Sequence, residues 1–194
     1  MHIYLVRHGE TDWNKIGIVQ GRTDIPLNEE GRKQARDAQT IYEGKEFDAL
    51  ITSPLSRAKE TGLILTQKAI VKTIREDERV IERNYGPTEG ILIKEREKRY
   101  GSGYVEGQET RKAVHERMEQ ALKEYASTYE NDVLVVCHGG VIGNFLRIHF
   151  KEFEDLKFKI GNCSLTVLDG TDLSVLAFNL SDQEAYAWVR THSS

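Results

Sequence analysis

Asp132-Val133-Leu134-Val135-Val136-Cys137-His138-Gly139-Gly140 carries the reading on which the fold turns. A strand with one wet face alternates apolar and polar residues. The run from Val133 to Cys137 does not alternate, so it reads as a strand buried on both faces, the kind found at the centre of a parallel sheet. Gly139-Gly140 then leads into a helix running to about Phe150. The same strand-to-helix grammar recurs elsewhere. Ile3 to Val6 is an apolar strand followed by Arg7-His8-Gly9. Phe47 to Thr52 is another, followed by Ser53-Pro54, which reads as a cap and first-turn proline of a helix running to about Lys68. Ile70 to Ile74 is a short third strand. Asn28 before Glu29-Glu30 marks a helix start reaching about Tyr42. From Gly107 a long helix is signalled, its core stripe formed by Val114, Met118, Ala121, Leu122 and Tyr125. Ser164 to Leu168 and Ser174 to Phe178 flank Asp169-Gly170-Thr171-Asp172 as a hairpin. Together these predict an α/β three-layer sandwich: a mostly parallel central sheet of about six strands, helices on both faces, and an antiparallel edge.

The chain has 194 residues, which favours one domain spanning 1–194, with a short cap segment around 83–107. Hydrophobic residues make up 39% and charged residues 30%, a soluble globular balance. A net charge of −4 gives no basic field toward nucleic acid or an anionic membrane. The apolar runs are of strand length and too short to span a bilayer. The N-terminus, Met1-His2-Ile3-Tyr4, lacks a basic leader and reads as mature protein. Cys137 and Cys163 sit in apolar runs and form no Cys-x-x-Cys, which favours a reducing cytoplasm and buried, unreactive thiols. The terminal hairpin suits either a covered edge or a dimer edge, leaving monomer and homodimer both open.

In open parallel sheets ligands bind beyond the carboxyl ends of the strands. Three such ends carry matching chemistry here. The first delivers Arg7 and His8, the second delivers Arg57 in the opening turn of its helix, and the third delivers His138. Each alone has an ordinary explanation: Arg57 as a solvated helix residue, His138 as a satisfied core histidine. Their coincidence at three junctions points instead to one anion pocket, with helix N-termini adding positive potential. A compact dianion, phosphate, suits that lining. Metal binding is excluded from this pocket: no His-x-His or His-x-x-x-His occurs, and two arginines repel a cation. His2, His115, His149 and His192 are assigned to surface or packing.

At this point the chain resembles the histidine phosphatase superfamily, the phosphoglycerate mutase-like proteins. Leu5-Val6-Arg7-His8-Gly9-Glu10-Thr11-Asp12-Trp13-Asn14 resembles its signature, Thr52 to Ala58 its second motif, and Val136 to Gly140 its last. Ile81 to Gly90 is similar to the segment that supplies the acid/base carboxylate. The resemblance implies a phosphohistidine on His8, with Arg7 and Arg57 offsetting phosphoryl charge and His138 adding a third cation if it is protonated. It also implies Glu82 as proton donor and later base, and Asn14 as a phosphoryl ligand. The attacking nitrogen of His8 is set by whatever bonds the other ring nitrogen. Gln20, Gly21 and Arg22 on the following loop, the Gly139 amide, and Arg83 and Tyr85 are expected to contact phosphate or substrate.

Family mutases carry a longer insertion after this point. Here only Ile91 to Glu106 separates Gly90 from Gly107, a short cap that shields a phosphohistidine from water poorly. The expected activity is therefore hydrolysis of small phosphorylated metabolites, without metal or cofactor. Phosphoglycerate mutase is the runner-up, because Glu82-Arg83-Asn84-Tyr85-Gly86 is close to the mutase form. Only that activity would call for 2,3-bisphosphoglycerate priming. A non-catalytic phosphate-binding module on the same scaffold is the third reading. Lys94 to Tyr100 reads by default as a mixed-charge solvated helix, with one or more of its cations, beside Arg83 and Tyr85, as candidates to select the alcohol part of the substrate.

Overall fold

The computed structural model describes residues 1–101 and 103–192. Strands β1 (His2–Arg7), β2 (Glu46–Thr52), β3 (Ile70–Glu76), β4 (Val133–Cys137), β5 (Leu165–Asp169) and β6 (Val175–Leu180) form one sheet in the order β3-β2-β4-β1-β5-β6. The first four in that order are parallel neighbours; β5 runs antiparallel to β1, and β6 antiparallel to β5. The unbroken apolar run is β4, central between β2 and β1 and buried throughout. Register places Arg7 opposite Cys137 and Thr52 opposite Val136. Three strands therefore end at one level, and His8, Ser53 and His138 all emerge from the same edge.

Among the described residues, seven helices complete the layers: α1 (Asp12–Ile16), α2 (Glu29–Ala38), α3 (Ser56–Leu65), α4 (Ile93–Tyr100), α5 (Arg111–Thr128), α6 (Gly139–His149) and α7 (Asp182–His192). Alternate residues of the strands feed two cores. Ile3, Leu5, Ile51, Val133 and Val135 pack with α5 and α6; Tyr4, Val6, Leu50, Leu134 and Val136 pack with α3 and α7. On α5 the stripe, rather than its charges, holds the helix down. Full burial of Met118 or Leu122 stabilises by about 2 kcal/mol each, whereas the exposed Lys112–Glu116 pair contributes about 0.5 kcal/mol or less.

Three element boundaries differ from the sequence reading. Ser53 is not the cap of α3. The helix begins at Ser56, and its N-cap Leu55 has no side chain to offer the first amides. Asp24, from a distant loop, substitutes: its Oδ1 accepts from the Ser56 amide at 2.9 Å and from Ser56 Oγ at 2.8 Å. The helix from Asn28 stops at Ala38 and tightens to a 3₁₀ turn over Gln39–Tyr42. Helix α5 starts at Arg111 rather than Gly107, because Thr110 caps it by accepting from the Ala113 amide. Helices α1 and α7 were not foreseen. As expected, α4 buries none of its residues. The cap is laced to the loop after α1, through Val19 N to Ile91 O, Gly90 N to Val19 O, and Ile93 N to Gly17 O.

Candidate active site

A cavity of about 400 Å³ opens beyond the ends of β1, β2 and β4, lined by Arg7, His8, Asn14, Arg57, Glu82 and Gly139 among others. His8 is 2% exposed, and its Nδ1 lies 2.7 Å from the Gly9 carbonyl oxygen. A carbonyl only accepts, so Nδ1 carries the proton and Nε2 keeps its lone pair. His138, fully buried, places its ring 5.1 Å from that of His8 and its Nε2 2.7 Å from Ser53 Oγ. Burial drives both imidazoles well below the usual histidine range; Arg7 and Arg57 push His8 further, and Arg57, His8 and Arg7 do the same to His138. In this setting both rings are neutral near pH 7. A protonated His138 would need an anion between the guanidiniums to offset their charge.

The two arginines are held from behind. Arg7 Nη1 donates to Ile160 O at 2.6 Å. Arg57 is completely buried rather than solvated, with Nη1 donating to Thr23 O and Nη2 to Gly21 O. Its Nε has no hydrogen-bond partner among the described residues. Thr61 Oγ1 donates to the Arg57 carbonyl and accepts from the Gly9 amide, tying α3 to the loop that carries His8.

Glu82 enters from the loop after the 3₁₀ turn Glu78–Val80 and reaches the start of α6. Its Oε1 accepts from the Arg83 amide at 2.8 Å and its Oε2 from the Gly140 amide at 3.0 Å. A Cβ on Gly140 would stand 2.3 Å from Oε1, so a side chain there would push the carboxylate out of this position. Asn14 lines the cavity, and its Oδ1 accepts from the Thr11 amide, which leaves its NH₂ as the donor for a ligand. Gln20 and Gly21 line it too, Gln20 linked to Thr11 and Gly21 to Arg57. Arg83 and Tyr85 form its outer wall, the guanidinium 5.1 Å from the phenol ring centre. Burial pushes the Tyr85 phenol up to about 12. Arg22 does not line the cavity. Its Nε donates to the Glu82 carbonyl and its Nη2 to Glu109, so it supports the acid/base segment from outside.

Set against known proteins, residues 3–177 match the profile of the histidine phosphatase superfamily (branch 1). The chain belongs to this superfamily. A Bacillus subtilis (strain 168) protein named uncharacterized phosphatase PhoE is 40% identical over 141 residues, 72% of each chain. A metal-independent phosphoserine phosphatase of Arabidopsis thaliana is 33% identical over 161 residues, covering 75% of this chain and 68% of that one. A solved phosphoserine phosphatase of Entamoeba histolytica, in complex with 3-phosphoglyceric acid, superposes with a TM-score of 0.79 at 26% identity, covering 93% and 97%. Relatives named as phosphoglycerate mutases match as well.

The lining also takes in Trp13 from the first motif and Arg96 from the cap stretch, together with Arg111, Arg147, Phe158 and Lys159, which linear reading missed. Arg147 was within reach: Gly140, Gly143 and Arg147 recur at helical spacing on the face of α6 that meets the cavity. Its Nη1 donates to Gly143 O and its Nη2 to Phe158 O, with the guanidinium 4.0 Å over the Phe158 ring. Ser53 and Gly140 fall within the motifs, but their roles were not readable there, since each matters through a neighbour distant in the chain.

Proposed function

We propose that this protein is a phosphomonoesterase that hydrolyses small phosphorylated metabolites through a phosphohistidine on His8. One observation carries the reading: Nδ1 of His8 is committed to the Gly9 carbonyl, so a lone pair on Nε2 faces a cavity containing two buried guanidiniums. In the first step Nε2 attacks phosphorus and the P–O bond to the alcohol breaks. The leaving oxygen takes the bonding pair and a proton from the Glu82 carboxyl. In the second step the Glu82 carboxylate takes a proton from water, the water oxygen bonds to phosphorus, and the P–N pair returns to Nε2. Arg7 and Arg57 stabilise the phosphoryl oxygens in both steps, the task a metal performs in other phosphatases. The reaction is thus read as metal-independent, which the Arabidopsis relative's name supports, and as needing no added cofactor. Neither nucleic acid nor membrane enters the reading. Among the described residues no helix is long and apolar enough to cross a membrane. Two buried free cysteines suit the cytoplasm.

The outer half of the cavity defines the alcohol. Arg83, Arg96, Arg111, Arg147 and Lys159 line it. None of them forms an ion pair with a carboxylate among the described residues. Glu82 is the sole carboxylate in the lining. Unpaired cations at that density suit a phosphomonoester whose alcohol bears a second anionic group, with Trp13, Ile93 and Phe158 as an apolar wall.

The test is phosphate release in chelator across a panel of phosphorylated hydroxy and amino acids against neutral phosphomonoesters. Carboxylated substrates are expected to lead. Arg147→Met should raise their KM by about tenfold or more and leave neutral substrates nearly unchanged, one charge-assisted contact being worth about 1.5–3 kcal/mol. Equal losses on both classes would overturn the substrate class. The mutase reading has its own support, since the same outer cations suit a bisphosphate. Incubation with 3-phosphoglycerate separates the two, inorganic phosphate marking hydrolysis and 2-phosphoglycerate marking mutase chemistry.

A further inference from the structure

Helices α5 and α6 pack side by side, and away from the catalytic cavity they bring together His115, Glu119 and His149. His115 and Glu119 stand four residues apart on α5, so they share a face. His149 is the last residue of α6. One ligand atom from each lies within 4.8 Å of the other two, and none of the three lines the cavity that holds His8. Linear spacing concealed this set, because its second histidine comes from the other helix.

Both imidazoles are fixed in place. The Phe145 ring stacks on His115 (5.7 Å, 12°) and on His149 (4.9 Å, 23°), while Phe150 meets His149 edge-on at 4.7 Å. Nε2 of His115 is closed off from solvent without a hydrogen-bond partner, an arrangement that costs about 1–3 kcal/mol unless something else binds it. Glu119 Oε1 lies 3.7 Å from His149 Nδ1 and 2.9 Å from Lys123 Nζ. That lysine is the one competing cation in direct contact with the carboxylate. Its side chain is 64% exposed, so it can turn into water at little cost. A groove bordered by Glu119, His149 and Asp172 leaves room for water ligands.

We propose that His115, Glu119 and His149 bind one divalent transition-metal ion, zinc being the best match to two imidazoles and a carboxylate. Water fills the fourth position. Tetrahedral zinc holds its ligands about 3.3 Å apart, so the group closes slightly on binding. The ion joins α5 to α6, the two helices whose opening residues Arg111 and Gly139 line the catalytic cavity, and it takes no part in phosphoryl transfer.

Zinc titration against a chromophoric chelator, with thermal unfolding in parallel, tests this site. The wild-type chain should bind one equivalent and gain thermal stability. His149→Ala and Glu119→Gln should each weaken binding by about tenfold or more, a loss that removing even a supporting partner can cause, and both should keep phosphatase activity. His8→Asn should bind zinc as the wild type does, and magnesium should not substitute. If His149→Ala does not fold, Glu119→Gln decides alone. Failure of the wild type to bind, unchanged affinity in the ligand variants, or loss of binding in His8→Asn overturns the assignment.

Discussion

At the scale of single residues, the site depends on what holds each reactive atom. In the proposed mechanism His8 attacks through Nε2 because Gly9 O accepts the Nδ1 proton, and burial between guanidiniums favours the neutral ring. ¹⁵N NMR of histidine-labelled protein should therefore show His8 neutral and protonated at Nδ1 at pH 6.5, where an ordinary histidine is half charged. An imidazolium there, or the Nε2–H tautomer, contradicts the assignment. Gly140 is the second case. Gly140→Ala adds helix propensity of about 1 kcal/mol yet drives a methyl into Glu82 Oε1. Its expected outcome is a folded enzyme with kcat lowered on the order of 10²-fold, checked by steady-state kinetics beside urea unfolding. Arg7, His8, Arg57 and His138 could be read from the sequence because each follows a strand end. Gly140 and Ser53 could not, because their roles come from Glu82 and His138, which are close only in space.

At the scale of elements, α3 shows how a helix that delivers an arginine to the cavity is anchored from elsewhere. Its own N-cap is Leu55, and Asp24 supplies the missing acceptor. Asp24→Ala should destabilise the protein by about 1 kcal/mol, the usual cost of losing a cap, read as a shift in the urea midpoint at constant slope. A change inside experimental error would show that water replaces Asp24 without cost. The parallel strands were legible because an unbroken apolar run has few alternatives. Helix α7 was not: polar residues interrupt its stretch, and Ala185 and Val189 are its buried residues, with Trp188 packing partly against the same core. The start of α3 was misread because Ser53-Pro54 is good capping chemistry. In the fold, Ser53 Oγ is taken up with His138 and the Leu55 amide.

At the scale of the whole molecule, the convergence of strand ends makes acid pH costly. His8 and His138 have folded pKa values below the unfolded value of about 6.5. The unfolded chain then takes up protons that the fold refuses, so stability is full above pH 6.5 and is lost as pH falls below it. The slope approaches about 1.4 kcal/mol per pH unit for each imidazole well below pH 6.5, so the pair loses about 2 kcal/mol between pH 6.5 and 5.5. Urea unfolding at pH 6.5 and 5.5, above most carboxylate titration, should show the loss, and His138→Gln should remove roughly half of it. A flat profile would mean that both rings protonate freely in the folded protein.

The most direct measurement mixes the enzyme rapidly with a ³²P-labelled phosphomonoester, stops the reaction in alkali, where phosphohistidine survives, and locates the label by peptide mass spectrometry. The account predicts phosphate on His8 within the first turnover, no label in His8→Ala, and a kcat in that variant lower by about 10³-fold or more. Label on another residue, or full turnover without His8, contradicts it.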